Sequence, residues 1–553
     1  MLMSKGYACA CAVLALHPMR DINLTDRQWA MVLAALWLLL TLPALGLTPL
    51  FDYDETIYAQ TAVDMMRLGQ WVVPTANGID FFEKPPFTYY LMDIGFSLFG
   101  QNAFAARLPS ALFTLMTALL LYRFGERRGD ARMGLIAAAI FLSMFEVGLL
   151  AHAAILDAVL NFFIVASLLY YWHWLEDQRH SDALLCAAMM GLAVAIKGPV
   201  GAVVPVLVIV LDRLLVADLW ATIRRIPWLQ ALPLFVLCAS PWYVMIVWQH
   251  GTSFLHEFIW VHNIGRALHP MQGHGGGWHY YVVVFAVSSL PWLFWLPWLL
   301  RHWDRHHVPL IRLALLWIAV VVLLFTFAQT KLPHYISCVY PALALALAVA
   351  WRAKRHAVPH YVPYATACLF APIALALLFF PWLYAQLPAY IHHPRALAII
   401  EQAITPPVSI TIAGAILLLA TVALMLWRKH VLWLFVLFGV VLQSALMLPL
   451  ASFAGRVMQG PTMHAAALVR AMPQEVQWFS YQLNAPSLSF YAQRNYRMVL
   501  DEAGWQQWQQ AQPPKVLIMR EESLKQRPSL TTAEVLLHEG GYIMFGVGVK
   551  VRE

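Results

Sequence analysis

Two short stretches of the sequence gather groups that can move protons or hold anions. In Phe51-Asp52-Tyr53-Asp54-Glu55-Thr56-Ile57-Tyr58 three acids fall within four positions, and Asp80-Phe81-Phe82-Glu83-Lys84-Pro85-Pro86-Phe87 sets an acid beside a base ahead of two prolines. Both stretches lie between long apolar runs, where a carboxylate stripped of water is costly unless it has a partner. The acids therefore read either as a site for acid/base work or a cationic partner, or as an interfacial helix cap, for which Asp52 or Asp54 is well placed. Further along, His152 with Asp157, the run His262-Asn263-Ile264-Gly265-Arg266 and Lys331-Leu332-Pro333-His334-Tyr335 add acids, bases and hydroxyls at the edges of other apolar runs. Lys84, Arg266 and Lys331 suit an anionic headgroup; Asp157 reads equally as the partner of a nearby basic residue.

The elements that must position these groups are membrane spans. The chain has 553 residues, 61% hydrophobic and only 12% charged, with a mean hydropathy of +0.64. That is too little charge for a large soluble surface, which excludes a cytosolic enzyme. The net charge of +7 comes without a long basic block, so it points to basic loops and not to a nucleic-acid surface. Apolar runs at about 29–50, 104–122, 133–151, 156–174, 183–196, 199–217, 228–248, 279–300, 308–328, 334–351, 361–384, 408–427 and 431–450 give thirteen candidate spans. The run 183–196 is short, and Lys197-Gly198-Pro199 after it is either an outer turn or a break within a hairpin. Six scattered cysteines form neither a disulfide framework nor a zinc-knuckle pattern.

Alternating the spans puts nineteen Lys and Arg residues on one side and seven on the other, up to the last span. The richer side is cytoplasmic. Residues 1–28 are then a cytoplasmic tail, 29–450 the transmembrane domain with 51–103 as an outer juxtamembrane segment, and 451–553 an outer C-terminal domain. Ile57, Ala62, Met65, Met66 and Leu68 recur at helical spacing, which predicts an amphipathic helix lying along the membrane surface. The C-terminal residues predict a small α/β domain with helices near 461–473 and 499–511 and strands near 476–480, 515–519 and 542–549.

An Asp-Glu pair at the exit of the first span, a helix ending in Gly69-Gln70-Trp71-Val72-Val73-Pro74, and Phe82-Glu83-Lys84-Pro85-Pro86 before the second span resemble the aminoarabinose (4-amino-4-deoxy-L-arabinose) transferases of bacterial lipid A modification. These belong to the polyprenyl-phosphate-dependent membrane glycosyltransferases that include the protein O-mannosyltransferases. The resemblance is strongest over about 50–110 and weakens in the C-terminal domain. It implies a GT-C glycosyltransferase fold: an α-helical polytopic membrane protein of about 13 transmembrane helices with a small C-terminal α/β periplasmic domain. It also implies inverting transfer of a sugar, most simply 4-amino-4-deoxy-L-arabinose, from an undecaprenyl-phosphate donor to lipid A or a related envelope acceptor. The site would face the periplasm from the bacterial inner membrane. On the same basis Asp54 matches the catalytic aspartate and Asp157 a second acid. Glu83 and Lys84 match the acid and lysine near the donor phosphate, and Tyr58, Arg266, Lys331 and Tyr335 complete the substrate-binding set. The His-x-x-Arg loop of the family has one more residue here, between His262 and Arg266.

Ile57 stands where these transferases usually have arginine, and Gln60 where they have an acid. A related polyprenyl-phosphate-sugar transferase with another sugar, or with a protein, glycan or lipid acceptor, stays open. No cofactor is required by the chemistry; a divalent metal such as zinc, if bound, would take Glu83 and His262. The expected partners are the lipid-phosphate donor, the envelope acceptor and membrane lipids, with no nucleic acid, and the chain is read as a monomer. A secondary transporter is the main competing class. It would carry its charged groups near mid-bilayer on paired broken helices, whereas these acids and lysines gather at one face.

Overall fold

The structure is a computed structural model that describes residues 24–271, 273–301, 308–354, 359–402, 404–427, 430–527, 530 and 533–549. Residues 1–23 of the expected N-terminal tail lie outside the described residues. The first span, α1 (Asp26–Leu45), starts where Thr25 and Gln28 form a reciprocal capping box, which satisfies two backbone donors of the first turn. The outer segment follows as α2 (Asp54–Leu68), a hairpin of β1 (Thr75–Ala76) and β2 (Ile79–Asp80), and α3 (Phe87–Phe99). Asn77-Gly78 between the two strands both take positive φ, the conformation a two-residue hairpin turn requires. Beyond them lie α4 (Ala103–Arg127), α5 (Ala131–Leu142), α6 (Phe145–Ala151), α7 (Asp157–Asp177), α8 (His180–Lys197) and α9 (Val200–Leu215). Helices α4 and α5 cross closely at Gly125 and Gly134, where a Cβ on Gly125 would sit 2.4 Å from the Gly134 nitrogen.

The remaining spans are α10 (Trp228–Ala239), α11 (Pro241–His250), α12 (Tyr280–Ser288), α13 (Val308–Phe327), α14 (Tyr340–Lys354), α15 (Tyr361–Leu378), α16 (Val408–Leu426) and α17 (Val431–Ala445). Among the described residues nine helices are long and apolar enough to cross a bilayer, and twelve do so when each bent pair counts as one span. The one expected run outside these twelve, 199–217, forms the 16-residue α9. The short run 183–196 extends instead to the 18-residue α8.

Three spans are broken, with bends of 73° between α5 and α6, 51° between α10 and α11, and 99° between α12 and Trp292–Arg301. Breaking a helix inside a bilayer frees backbone groups that must find partners. Two of the breaks supply each other. Phe145 N–H donates to Leu290 O at 2.8 Å, and Trp292 Nε1 donates to Ser143 Oγ at 3.0 Å. Gln443 Nε2 from α17 covers Leu142 O and Met144 O at 2.9 and 2.7 Å.

Ion pairs sort the helix ends. Arg127 with Asp177 and Asp182, Arg128 with Glu176, Arg213 and Arg312 with Asp212, and Arg352 with Asp130 collect at one end of the bundle. Asp157 at the start of α7 and Lys197 at the end of α8 lie at the other.

The last span continues without a break from Val431 to Ala471 and delivers the chain through α18 (Ser452–Ala471) into the C-terminal domain. The boundary expected near 451 thus falls inside one helical run. The domain carries α19 (Pro486–Ala492), α20 (Glu502–Gln510) and five strands: β3 (Gln477–Tyr481), β4 (Arg497–Val499), β5 (Lys515–Arg520), β6 (Glu534–Glu539) and β7 (Tyr542–Val547). Their order is β4-β3-β5-β7-β6, parallel across β4, β3 and β5 and antiparallel across β5, β7 and β6. Side chains alternate as a pleated sheet demands. Trp478, Val516, Ile518 and Met544 pack with Val469 and Leu488, while Phe479, Leu517, Met519 and Phe545 pack with Trp505 and Trp508 on the opposite face.

Candidate active site

The three clustered acids meet three different environments. Glu55 is buried and forms a two-pronged ion pair with Arg107 of α4: Arg107 Nε donates to Oε1 at 2.8 Å and Nη2 to Oε2 at 2.7 Å. The Phe51 and Ala154 N–H groups also donate to this carboxylate, at 3.0 and 2.8 Å. Arg107 spends its other donors on Leu45 O, Thr48 O and Pro49 O, fixing the chain between α1 and α2. Asp52 turns the other way, accepting from Thr56 Oγ1 at 2.5 Å and from the Ser487 N–H of the C-terminal domain at 3.0 Å. Asp54, the first residue of α2, is exposed, and among the described residues no hydrogen bond or ion pair engages its carboxylate.

Helix α2 is not a surface helix. Ile57, Ala59, Ala62, Val63 and Met65 join a buried cluster with Leu50, Tyr89, Phe96 and Phe490. Its polar side is buried too: Gln60 Nε2 donates to Asp64 Oδ1 at 2.8 Å and to Asn495 Oδ1 at 3.1 Å, and Asp64 also takes the Gly78 N–H at 3.0 Å. The C-terminal domain covers the face that the amphipathic pattern assigned to water. Of the two departures from the family pattern, Ile57 lies in the apolar cluster and Gln60 in the interdomain contact.

Two further acids, Glu83 and Asp157, gather cations. Glu83 Oε2 receives Arg266 Nη2 at 2.5 Å, and Lys84 Nζ lies 4.0 Å from the same oxygen and donates to Glu83 O at 3.0 Å. Asp157 receives Lys197 Nζ at 2.6 Å, with His334 Nε2 3.8 Å from its second oxygen. Tyr335 joins the two pairs: its ring lies 4.9 Å from Lys197 Nζ, and its phenol acts on the Arg266 guanidinium. Lys84 is only 8% exposed. Burial, reinforced by the neighbouring Arg266 charge and resisted by Glu83, pushes its ammonium down to about 7. Tyr58, half-buried by solvent exposure, is raised well above the ordinary tyrosine value by desolvation, then by Tyr89, Glu83, Asp54 and Asp157. One phenol thus feels all three carboxylates, which ties Asp54 to the cationic group.

Asp54, Asp157, Tyr58, Glu83, Lys84, Arg266 and Tyr335 therefore converge. Lys331 does not join them: its ammonium caps the end of α13, donating to Thr326 O at 2.7 Å and Ala328 O at 2.5 Å. His262 faces Glu257 at 4.0 Å and feels the Glu83 charge, but among the described residues no group of three His, Cys, Asp or Glu side chains is placed to hold a metal. With Glu83 Oε2 taken by Arg266, Glu83 and His262 do not form the metal site expected of them. The extra residue between His262 and Arg266 is absorbed by π-helical winding over His256–Gly265, which takes more residues per turn than an α-helix. The sequence left Lys197 open between a phosphate ligand and an outward-reaching turn residue, and gave His334 no role. The signal lay in their positions, since Lys197 ends α8 on the side where Asp157 starts α7, and His334 precedes Tyr335.

The sequence profile of the dolichyl-phosphate-mannose-protein mannosyltransferases matches residues 83–246. Proteins named undecaprenyl phosphate-α-4-amino-4-deoxy-L-arabinose arabinosyl transferase align from Shewanella sediminis, 31% identical over 58% of this chain and 59% of that protein, and from Serratia proteamaculans, 33% identical over the same shares. The match thus spans about 59% of the length of these two relatives. The protein of the same name from Erwinia tasmaniensis is 30% identical over 66% of this chain and 67% of its own length. Among solved structures, ArnT from Cupriavidus metallidurans bound to undecaprenyl phosphate shares the fold, with a TM-score of 0.79 at 22% identity over 94% of this chain and 98% of that one.

Proposed function

Because the chain belongs to the undecaprenyl phosphate-α-4-amino-4-deoxy-L-arabinose arabinosyl transferase family, we propose that it transfers 4-amino-4-deoxy-L-arabinose from undecaprenyl phosphate to lipid A or a related envelope acceptor. The site faces the periplasm from the inner membrane in this reading. The observation that carries it is the Asp54 carboxylate, without a protein partner among the described residues, whose charge reaches Tyr58 and His334 of a group in which buried Lys84 and half-buried Lys197 and Arg266 stand against two acids, Glu83 and Asp157.

The chemistry follows from where charge develops. An acceptor oxygen attacks the anomeric carbon from the face opposite the phosphate, and the bond between that carbon and the phosphate oxygen breaks with its electron pair passing to the phosphate. Lys84 and Arg266 offset the charge that grows there, in a setting too dry for water to compete. If the acceptor is a hydroxyl, Asp54 takes its proton; if it is an ionised phosphate, no proton moves and Asp54 orients the amino sugar or the acceptor by its charge. Lys197, held by Asp157, keeps a third positive charge nearby. Apolar helices admit the polyprenyl tail from the bilayer.

The test is a reconstituted transfer. Purified chain in liposomes with undecaprenyl-phosphate-aminoarabinose and extracted lipid A should yield lipid A heavier by one aminopentose residue in the mass spectrum. Undecaprenyl-phosphate hexose transferred in its place would move the reading to a related enzyme of different sugar specificity, and no transfer from any polyprenyl-phosphate sugar would overturn it.

A further inference from the structure

The C-terminal domain grips the chain on both sides of Asp54. Asp52, half-buried, takes the Ser487 N–H at 3.0 Å on Oδ1 and the Ser487 hydroxyl on Oδ2. It also accepts from Thr56 Oγ1, in the first turn of α2, at 2.5 Å. The Gln459 carboxamide of α18, in the orientation that satisfies its surroundings, donates to Asp52 Oδ2 at 3.2 Å and accepts from Asp52 N–H at 3.1 Å. Leu50 N–H donates to Tyr491 Oη at 2.7 Å. On the far side of Asp54, Glu55 is locked to Arg107 of the membrane domain. Among the described residues Asp54 is thus a carboxylate without a protein partner, set between one neighbour anchored in the C-terminal domain and another anchored in the membrane domain.

We propose that Asp52 is a positioning residue through which the C-terminal domain, by way of Ser487, sets the place of the Asp54 carboxylate, so that the domain is part of the active-site scaffold as well as a cap. The inference rests on Asp54 being the acceptor-side carboxylate of the proposed transfer. A half-buried carboxylate shared by Thr56 of α2 and Ser487 of α19 transmits a shift of one helix start to the other, because the donors on these two helices are a backbone N–H and short side-chain hydroxyls. Displacement of a catalytic group by about 1 Å costs turnover up to roughly a hundredfold while leaving remote binding intact.

The experiment uses the full chain with Ser487→Ala, Asp52→Asn and the conservative Ser487→Thr, each also in an Asp54→Asn background. Ser487→Ala and Asp52→Asn should lower kcat by about ten- to a hundredfold with donor affinity unchanged. Ser487→Thr should restore turnover, and neither lesion should lower it further once Asp54 is asparagine. Hydrogen exchange of backbone amides 50–60 should accelerate in Ser487→Ala, a readout that needs no activity. Wild-type kcat in both single variants, equal losses with and without Asp54, or unchanged exchange would overturn the proposal. Absence of transfer by the unaltered chain would overturn the functional reading beneath it and leave the anchoring to be decided by the exchange data.

Discussion

Lys84 shows how much one residue can owe to its surroundings. A lysine in water keeps its proton far above neutrality, but here burial and the Arg266 charge bring it to about 7. A phosphate anion binds the protonated form, so donor binding draws a proton onto Lys84, and affinity falls as pH rises through 7. Between about pH 6.5 and 8.5 the decline should approach tenfold per unit at its steepest. Lys84→Arg should flatten it, because a guanidinium stays charged throughout. Calorimetric titration with undecaprenyl phosphate in buffers of different ionisation heat measures both affinity and proton uptake; pH-independent affinity without uptake would rule the coupling out. That Lys84 bears on an anion was legible from its type and its place beside Glu83. Its lowered pKa was not, since Arg266 is 182 positions away in the chain and only folding brings it close. Three acids in four positions could likewise be read as costly, but their division into an anchor to Arg107, an anchor to Ser487 and an open carboxylate depends on partners at positions 107, 154 and 487.

At the scale of elements, α2 was legible as a helix from its apolar spacing, yet its setting was not. Gln60 and Asp64 look like a wet face until Asn495 and the Gly78 N–H meet them. The broken spans were read as continuous because their apolar runs are continuous; the breaks depend on Ser143, Trp292 and Gln443 supplying partners across the bundle. The joint between α1 and α2 depends most on Arg107, which serves Glu55 and three backbone carbonyls at once. Removing one partner of a buried pair leaves an uncompensated charge, so Arg107→Ala should cost about 3–5 kcal/mol of stability. Lysine should recover little, having one ammonium where a planar fork serves five acceptors. Thermal unfolding of both variants in detergent checks this, and a melting temperature equal to wild type would show that the joint is held elsewhere.

For the whole molecule, the sequence-level count of basic residues and the observed ion pairs agree on two chemically distinct ends. One collects arginines paired near Asp130, Asp177, Asp182 and Asp212, and the other holds Asp54, Lys84, Asp157 and Lys197. If the first end is cytoplasmic, a cysteine at exposed Arg132 should react with a membrane-impermeant reagent only after the cells are opened, and one at exposed Gln474 in intact spheroplasts. Labelling of both from the same side would contradict the alternation. The central claim is that Asp54 does the acceptor-side work while the Lys84 and Arg266 group holds the phosphate, and Asp54→Asn separates these roles because it keeps size and removes charge and basicity. The most direct measurement is single-turnover transfer by purified Asp54→Asn beside its affinity for undecaprenyl phosphate. With a hydroxyl acceptor the account predicts turnover lowered by about 10²–10⁴-fold with donor affinity within twofold of wild type; near-normal turnover in a folded, donor-binding variant would contradict it.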